Sequence, residues 1–404
     1  MNTKHKENPA DIEAGRWLSE QKELSGRRRL SDRLLLISVS LLLIIFGVAI
    51  FLLPSEDFSE DENRMLADFP EFSLETLVSG EFTEGIADFY SDRFPLRNLF
   101  VGLKATAERL MGKGENNGII EGDDGYIIER FDYSDADYET LTANLTAIEI
   151  FKKYASDKGC DVTVALAPRA VDVMTSKLPP LYGSERDEAA WATAAGICPD
   201  ALTFTELLRS RADGGEQVWY KTDHHYTTLG AYYVYCALGE SLGYEPYPID
   251  FFTVEVSSED FLGTTYSSSG MKWTKSEKIE LFRYPGDGEY SVSWSGGELS
   301  GFYDESYLDK KDKYSVFLGG NHALTSVKGS GEKPTLLLIK DSYSHALTPF
   351  LALHFDVELV DLRLYSSSAA KLIDEMAPDK ILVYYGLDTL VTSPEIERIR
   401  MGAR

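Results

Sequence analysis

Cysteine is scarce in this chain. Its 404 residues include three cysteines, Cys160, Cys198 and Cys236, which lie far apart. Three cysteines do not make a disulfide framework, and their spacing matches no metal-binding motif. One disulfide bond remains an alternative, but we interpret all three as small hydrophobic residues of the interior. The sequence therefore argues against a fold held together by several disulfide bonds.

Basic residues are also in short supply. The chain has 40 lysines and arginines against 66 aspartates and glutamates, which gives a net charge of -26 at pH 7. Because nucleic-acid-binding proteins normally present a basic surface, we expect no nucleic-acid partner. The same charge argues against simple electrostatic adhesion to an anionic membrane. Solubility is the ordinary explanation of so acidic a chain.

Long hydrophobic runs are limited to one. Residues 34–53 carry no charge, and about 20 apolar residues suffice to span a bilayer. The residues just before this run include Arg27, Arg28, Arg29 and Arg33, whereas acidic residues follow it. The positive-inside rule then predicts a single-pass membrane protein with a cytoplasmic N-terminus and an extracellular remainder. A cleaved signal peptide is the alternative, but the long polar lead favours an uncleaved anchor.

Composition divides the chain into four segments. We predict a polar, disordered cytoplasmic tail over residues 1–33, the transmembrane anchor over 34–53 and an acidic linker over 54–69. Residues 70–404 are long enough to form one large extracellular domain. Within it, residues 246–334 are rich in Ser, Gly, Tyr and Trp, and we interpret them as a β-rich insertion.

Short apolar runs alternate with stretches of helical periodicity in the long C-terminal segment. The runs lie at residues 162–167, 335–339, 357–362 and 381–385, and residues 217–220 are predicted to be a further short strand. Buried strands that alternate with helices are typical of an α/β fold, in which helices flank a parallel sheet. Residues 118–128 contain two apolar runs around a Gly/Asp turn and predict a β-hairpin.

A serine stands where one of these strands ends. Asp341 and Ser342 follow the apolar run 335–339 and precede a stretch that we predict to be helical. Ligands of open α/β sheets bind at the carboxyl edge of the strands. The backbone N–H of such a serine, close to a helix N-terminus, can stabilise an oxyanion. The alternative is that Asp341 or Ser342 only caps the helix.

A second polar group combines a carboxylate with two imidazoles. Asp223, His224 and His225 precede a predicted helix, and residues two apart in an extended segment share a face. Asp223 can then fix the tautomer of His225, which becomes a base for Ser342 as nucleophile. Polar capping is one alternative. A metal site is another, but the remaining histidines show no ligand spacing, so we expect no metal.

The order of these motifs resembles a known family. Residues 223–227 read Asp-x-His-aromatic-Thr, Gly230-Ala231 follows, and residues 341–344 read Asp-Ser-aromatic-Ser. This pattern resembles the AlgX/AlgJ-like and DHHW groups of SGNH-hydrolase-like proteins. Further segments that fit the resemblance are residues 62–70, 92–97 and 317–322. The resemblance covers residues from about Glu62 to Tyr385.

The resemblance implies a function and a set of roles. It implies an SGNH-like α/β domain in which Asp223, His225 and Ser342 match the catalytic positions, and O-acetylation of a secreted or cell-surface polysaccharide. We expect transfer through an acetyl-serine intermediate, without a cofactor. The acceptor is then a polysaccharide, and a multi-pass membrane O-acyltransferase is expected as the acetyl donor. An acetyl esterase and a non-catalytic glycan-binding scaffold are the alternatives.

Four further residues are candidates for contacts with the oxyanion or the substrate, namely His224, Tyr226, Asn321 and Arg363. Tyr226 stands where the family usually has Trp, which can alter stacking on a sugar. Asn321 can donate its amide, or it is an ordinary turn residue. Arg363 can hold an anionic sugar group, or it forms a surface ion pair.

Overall fold

The computed structural model describes residues 9–52, 58–59, 64–180, 182 and 185–403. The described residues up to Phe100 form one compact unit, and those from Val101 onward form another. The described helices, α1 to α13, are Pro9–Leu52, Leu74–Ser79, Glu81–Asp92, Arg97–Leu110, Asp135–Asp157, Ala170–Val173, Glu185–Ile197, Thr205–Asp213, Thr228–Leu242, Thr264–Ser269, Thr348–Leu351, Ala369–Met376 and Leu387–Thr392. The described strands, β1 to β15, are Phe58–Ser59, Arg64–Met65, Glu115–Asn116, Ile119–Glu121, Ile127–Glu129, Asp161–Ala167, Leu202–Thr203, Thr253–Phe261, Glu277–Arg283, Ser291–Trp294, Gly297–Ser300, Leu324–Lys328, Thr335–Lys340, Asp356–Val360 and Lys380–Gly386.

The long helix α1 contains the predicted membrane anchor. Its segment Asp32–Ile50 is the one stretch among the described residues that is long and apolar enough to cross a membrane. The helix begins at Pro9, so it also includes residues 9–33, for which the sequence predicted a disordered tail. Proline is favoured in the first turn of a helix, and no other proline occurs before Pro54 to interrupt it.

An eight-stranded mixed sheet lies at the centre of the second unit. Its strand order is β11-β10-β12-β14-β13-β15-β6-β7. The five strands from β14 to β7 are mutually parallel, whereas β12, β10 and β11 extend one side of the sheet as antiparallel neighbours. The strand β13 therefore lies between two parallel partners, and Ser342 follows its carboxyl end.

Both faces of this sheet are buried. Along β13, Leu336 and Leu338 belong to one apolar cluster, and Leu337 and Ile339 belong to the cluster on the opposite face. The first cluster includes side chains of α9, and the second includes side chains of α5. Because successive side chains of a strand point to opposite faces, a strand buried on both sides is a continuous apolar run. This confirms the predicted α/β class.

The predicted insertion is rich in strands. It supplies β8 to β12, of which β10, β11 and β12 continue the central sheet. The other two, β8 and β9, form a separate antiparallel hairpin whose register pairs Phe261 with Glu277 at its end. The predicted hairpin at residues 118–128 is also present, as β4 and β5 with Ile120 opposite Ile128.

Two local predictions differ from the structure. Residues 217–220 were predicted to be a strand, but only Trp219 makes an isolated β-bridge, to Tyr226. The helix predicted after Ser342 is replaced by a 3-10 turn at Ser342–Ser344 and the short α11. Pro349 lies in the first turn of α11 and lacks a backbone N–H, so it cannot belong to the interior of one continuous helix.

The three cysteines are free. Cys198 is buried as predicted, whereas Cys160 and Cys236 are only partly buried. Burial raises the pKa of the Cys198 thiol to about 12, so it stays protonated at neutral pH.

Candidate active site

The turn after β13 is held by Asp341. Its carboxylate accepts hydrogen bonds from the backbone N–H of Tyr343 at 3.0 Å and of Gly386 at 2.7 Å. Because Gly386 ends the neighbouring strand β15, the second bond ties the turn to the sheet. The capping role therefore belongs to Asp341, and the hydroxyl of Ser342 makes a different contact.

The Asp-His motif lies on a tight turn that leads into α9. The bridge between Trp219 and Tyr226 closes this turn, and residues 223–225 lie at its tip. Thr227 is the N-cap of α9, and its hydroxyl accepts a hydrogen bond from the N–H of Gly230 at 3.2 Å. Since Thr227 caps the helix, residues 223–225 are not needed as caps.

The structure brings the two motifs together. The Oδ1 atom of Asp223 lies 2.6 Å from Nδ1 of His225, and Nε2 of His225 lies 2.8 Å from Oγ of Ser342. The hydrogen bond between His225 and Ser342 joins residues 117 positions apart in the chain. We call these three residues the candidate triad. A serine hydroxyl, an imidazole and a carboxylate in this order can activate the serine as a nucleophile.

Asp223 is buried, and both of its carboxylate oxygens accept hydrogen bonds. Its Oδ1 atom also accepts the backbone N–H of His225 at 3.0 Å, and its Oδ2 atom accepts the N–H and the hydroxyl of Thr264 at 2.8 and 3.1 Å. Burial alone would raise the pKa of Asp223, but His225, His224 and the hydrogen bonds outweigh it and hold the pKa below its usual range. The side chain is therefore a carboxylate at neutral pH.

His225 is a neutral imidazole at neutral pH. Burial and the neighbouring His224 lower the pKa of His225 to about 4, although Asp223 opposes the shift. The ring of Tyr314 stacks on the imidazole, with 3.8 Å between ring centroids and an interplanar angle of 7°. With Nδ1 donating its proton to the carboxylate, Nε2 is free to accept the proton of Ser342.

His224 lies beside the candidate triad and remains partly exposed. Its Nδ1 atom lies 2.6 Å from the hydroxyl oxygen of Thr264, and its carbonyl accepts a hydrogen bond from the hydroxyl of Tyr343 at 2.9 Å. The side chain keeps 30% of its surface exposed. It can therefore touch a bound molecule, so a substrate contact stays a prediction.

Tyr226 is placed differently from the prediction. It is completely buried, so it does not line a substrate-binding surface. Its hydroxyl donates a hydrogen bond to the carbonyl of Tyr343 and accepts one from Tyr384 at 3.2 Å. Tyr226 is buried because its ring packs against Trp219 while its hydroxyl is bonded to the backbone of the turn after Ser342.

Arg363 forms an ion pair with a buried partner. Its Nε and Nη2 atoms donate to the two carboxylate oxygens of Asp361 at 2.9 and 2.6 Å. Asp361 is fully buried and also lies 3.5 Å from Nζ of Lys340, which in turn lies 2.8 Å from Nε2 of His345. Arg363 itself keeps 30% of its side chain exposed at the carboxyl edge of β14, the strand next to β13. Contact with a bound anion stays a prediction.

Asn321 lies on an exposed turn. Gly319 and Gly320, which precede it, have φ values of +71° and +93°, a conformation that favours glycine. An exposed amide is free to meet a ligand, so the predicted oxyanion or substrate contact stays a prediction.

Asp223, His224 and His225 also satisfy a geometric test for a metal site. One ligand atom from each lies within 4.8 Å of the others. However, both oxygens of Asp223 and both ring nitrogens of His225 already take part in hydrogen bonds. This donor set fits a proton-transfer chain better than a metal centre.

Sequence reasoning missed several residues of the site. Thr264 donates twice to Asp223, and Tyr314 covers the imidazole of His225. Both lie in the predicted insertion, where no motif marked them. The contacts arise from the folding of the β8–β9 hairpin and the following loops, which a linear pattern does not specify.

A cleft borders the segment that carries Asp223 and His225, although none of the three residues of the candidate triad lines it. Its volume is about 790 Å³, and it is lined by residues of the 217–229 segment, by the β4–β5 hairpin and by the start of β9. Two of its lining aromatic residues are Tyr126 and Trp273. Aromatic side chains set among polar groups are common in sites that hold an extended polar ligand.

Two protein families match the part of the chain that carries this site. Residues 201–360 match the family described as DHHW protein, and residues 119–261 match the SGNH hydrolase-like domain of acetyltransferase AlgX. These matches show that residues 119–360 are similar to the AlgX/AlgJ-like and DHHW groups of SGNH-hydrolase-like proteins. The resemblance predicted from the motifs is thereby confirmed.

Two curated proteins are similar to this chain at low identity. Over 166 residues the chain is 23% identical to a probable alginate O-acetylase AlgJ of Pseudomonas fluorescens, a match that covers 39% of this chain and 41% of that protein. Over 190 residues it is 24% identical to a probable alginate O-acetylase AlgJ of Pseudomonas putida, covering 44% and 47%. The match thus spans less than half the length of either relative.

Solved structures share the fold. A DHHW family protein from Eubacterium siraeum has a TM-score of 0.56 at 19% identity, over 70% of this chain and 95% of that one. PatB1 of Bacillus cereus has a TM-score of 0.57 at 16% identity, over 69% and 98%. The likeness confirms the predicted fold and, at these identities, does not extend to the activity.

Proposed function

We propose that the chain is a membrane-anchored O-acetyltransferase that moves acetyl groups to hydroxyls of a secreted or cell-surface polysaccharide. The observation that carries the proposal is the hydrogen-bonded order Asp223–His225–Ser342, with 2.6 and 2.8 Å between the paired atoms. The match to the domain of acetyltransferase AlgX and the likeness to probable alginate O-acetylases support acetyl transfer as the chemistry.

The first half of the reaction acetylates the enzyme. Ser342 Oγ attacks the carbonyl carbon of the acetyl donor while Nε2 of His225 takes its proton, and Asp223 stabilises the resulting imidazolium. The tetrahedral intermediate carries a negative oxygen. When this intermediate collapses, the donor's leaving group departs with the proton from His225, and acetyl-Ser342 remains.

The second half transfers the acetyl group to the acceptor. A polysaccharide hydroxyl loses its proton to Nε2 of His225 and attacks the acetyl carbonyl, and Ser342 then leaves with that proton. The product is an O-acetylated sugar and the free enzyme. The cleft of about 790 Å³ that borders the segment carrying Asp223 and His225 offers aromatic and polar groups for such an acceptor.

The negative oxygen of the intermediate needs donors. The backbone N–H of Ser342, at the start of its 3-10 turn, is the first candidate. Arg363 is the second, because it is partly exposed at the adjacent strand end and held in place by two hydrogen bonds to Asp361. The exposed amide of Asn321 is the third.

The acetyl donor is proposed by analogy. Acetyl-CoA is not expected outside the cell, so we propose a multi-pass membrane O-acyltransferase that brings acetyl groups across the membrane. The helix α1 would keep this domain beside that partner. Co-purification of the full chain from membranes tests the association, and a chain that never co-purifies with such a protein counts against it.

The activity can be tested with the full chain in detergent. We would supply an acetyl ester and candidate oligosaccharides and follow free acetate and acetylated sugar by mass spectrometry. Ser342→Ala is compared with the control Ser367→Ala, which changes an exposed serine in the loop before α12. We expect acetylated sugar from the wild type and Ser367→Ala and none from Ser342→Ala. Acetate without acetylated sugar would point to an esterase instead.

A further inference from the structure

The β8–β9 hairpin contacts the Asp223 turn, which we define as residues 220–225, through the connection after β8 and through the first residue of β9. The chain leaves β8 at Phe261 and reaches Thr264, which donates two hydrogen bonds to Asp223. It returns in β9, whose first residue, Glu277, pairs with Phe261. One hairpin thus places a donor and an acceptor on the same turn.

Glu277 is a buried carboxylate with four donors. Only 8% of the residue is exposed. Its Oε2 atom accepts the side-chain amide of Gln217 at 2.7 Å and the N–H of Lys221 at 2.9 Å. Its Oε1 atom accepts the N–H and the hydroxyl of Thr222, both at 2.7 Å. Three of the four donors belong to the two residues directly before Asp223.

Thr222 links Glu277 to the connection that follows β8. While its hydroxyl donates to Glu277, the same oxygen accepts the N–H of Gly263 at 3.2 Å. Its carbonyl accepts the N–H of Tyr266 at 2.9 Å. The backbone of Thr222 is bound through both its N–H and its C=O. These bonds fix the backbone from which the next residue, Asp223, projects its side chain.

We propose that Glu277 is a positioning residue of the candidate triad: its carboxylate holds the backbone of Lys221 and Thr222 so that Asp223 stays aligned with His225. The inference rests on the proposed function, since it assigns Glu277 a part in the reactivity of Ser342. It also implies that the β8–β9 hairpin supports the carboxylate of Asp223.

The protonation state of Glu277 then matters for the rate. Burial raises the pKa of Glu277 to about 7, although the hydrogen bonds from Thr222 and Lys221 oppose the shift. Its ionisable and charged neighbours are Asp223, Tyr126, Tyr220, Lys221, Lys275 and Lys278. A protonated acid loses one acceptor position, so one of the four bonds breaks and the turn loosens. The reaction should therefore accelerate as pH rises through about 7.

The test follows the rate at which phenylmethylsulfonyl fluoride modifies Ser342 in the full chain, from about pH 4 to about pH 9. For the wild type we expect two rises in rate, one near 4 from His225 and one near 7 from Glu277. Glu277→Gln should lose the rise near 7 and react about tenfold more slowly at pH 8. Glu259→Gln, at an exposed glutamate in β8 of the same hairpin, should keep both rises.

Thr222→Val provides an independent readout should Glu277→Gln not fold. It removes the hydroxyl that lowers the pKa of Glu277, so the rise near 7 should move to higher pH. An unchanged profile in either folded variant overturns the inference and leaves the proposed function intact. A wild-type Ser342 that does not react at any pH overturns the proposed function, and the inference with it.

Discussion

At the scale of single residues, the carboxylate of Asp223 is the most constrained group of the site. Four hydrogen bonds end on its two oxygens, two from His225 and two from Thr264. All four are donated to it, so the site is built around an acceptor that carries a negative charge. That charge fixes which nitrogen of His225 bears the proton.

Replacing this carboxylate by an amide should cost reactivity more than stability. Asp223→Asn keeps the shape but presents an N–H₂ group to donors, which favours the wrong tautomer of His225. We expect the modification of Ser342 to slow by about 10³–10⁴-fold. Asp250→Asn, at an exposed aspartate, is the control and should react normally. A loss below tenfold in folded Asp223→Asn would argue against the assigned role.

The fall at acid pH in the rate of Ser342 modification reports the pKa of His225. Its pKa in the folded chain is about 4, below the ordinary value of 6.5, so the neutral base persists well below neutral pH. In Glu277→Gln, where the second rise is removed, the rate should be constant above pH 6 or so and fall as pH drops through about 4. A midpoint near 6.5 would contradict the burial of this imidazole.

The residues of the candidate triad could be predicted from sequence, and their supports could not. Asp223 and His225 are two apart and Ser342 follows an apolar strand, but this local pattern also allowed helix caps, and the resemblance to the family singled out the three residues. Thr264 and Tyr314 reach the site only through tertiary folding of the insertion. Tyr226 was a candidate for substrate contact because it stands where the family usually has Trp, yet its side chain is buried in the core.

At the scale of elements, the close approach between the β8–β9 hairpin and the Asp223 turn depends on Gly263. A Cβ atom on Gly263 would lie 2.3 Å from Cβ and from Oδ2 of Asp223. Its φ of -81° is open to any residue, so the lack of a side chain is needed for space and not for conformation. The hairpin can reach Asp223 only with glycine here.

Gly263→Ala should therefore displace Asp223. We expect Ser342 to react about 100-fold more slowly, since a shift of about 1 Å in a catalytic group has this effect. Gly288→Ala is the matched control, because a Cβ atom there meets nothing within 4 Å. Rates are measured with the sulfonyl fluoride, and thermal unfolding confirms folding. Equal rates for the two variants would show that the contact is dispensable.

The sequence predicted helices and strands correctly where both faces of a strand are buried. The strands β6, β13, β14 and β15 are continuous apolar runs, and all four occur close to their predicted positions. The prediction failed after Ser342, where apolar periodicity predicted a helix but Pro349 restricts the backbone to a turn and one short helix. The sequence predicted that the insertion is rich in strands. It did not predict that three of these strands pair with the central sheet, because that pairing depends on long-range contacts.

At the scale of the whole molecule, the proposed function requires the domain to face outward from a membrane. The segment Asp32–Ile50 meets the length and polarity requirements of a span. We expect the full chain to sediment with membranes, and a chain that lacks residues 1–53 to remain soluble. Protease added to intact cells should digest the C-terminal domain. A mature N-terminus found beyond residue 53 would show a cleaved signal peptide instead.

The most direct test of the account is to observe the acetyl group on Ser342. The full chain is mixed with an acetyl ester, quenched at short times and analysed by intact mass and peptide mass spectrometry, with and without an acceptor oligosaccharide. The account predicts one acetyl group on Ser342 that is lost faster when the acceptor is present, as acetylated sugar appears. Acetylated sugar formed at the wild-type rate by Ser342→Ala would contradict it.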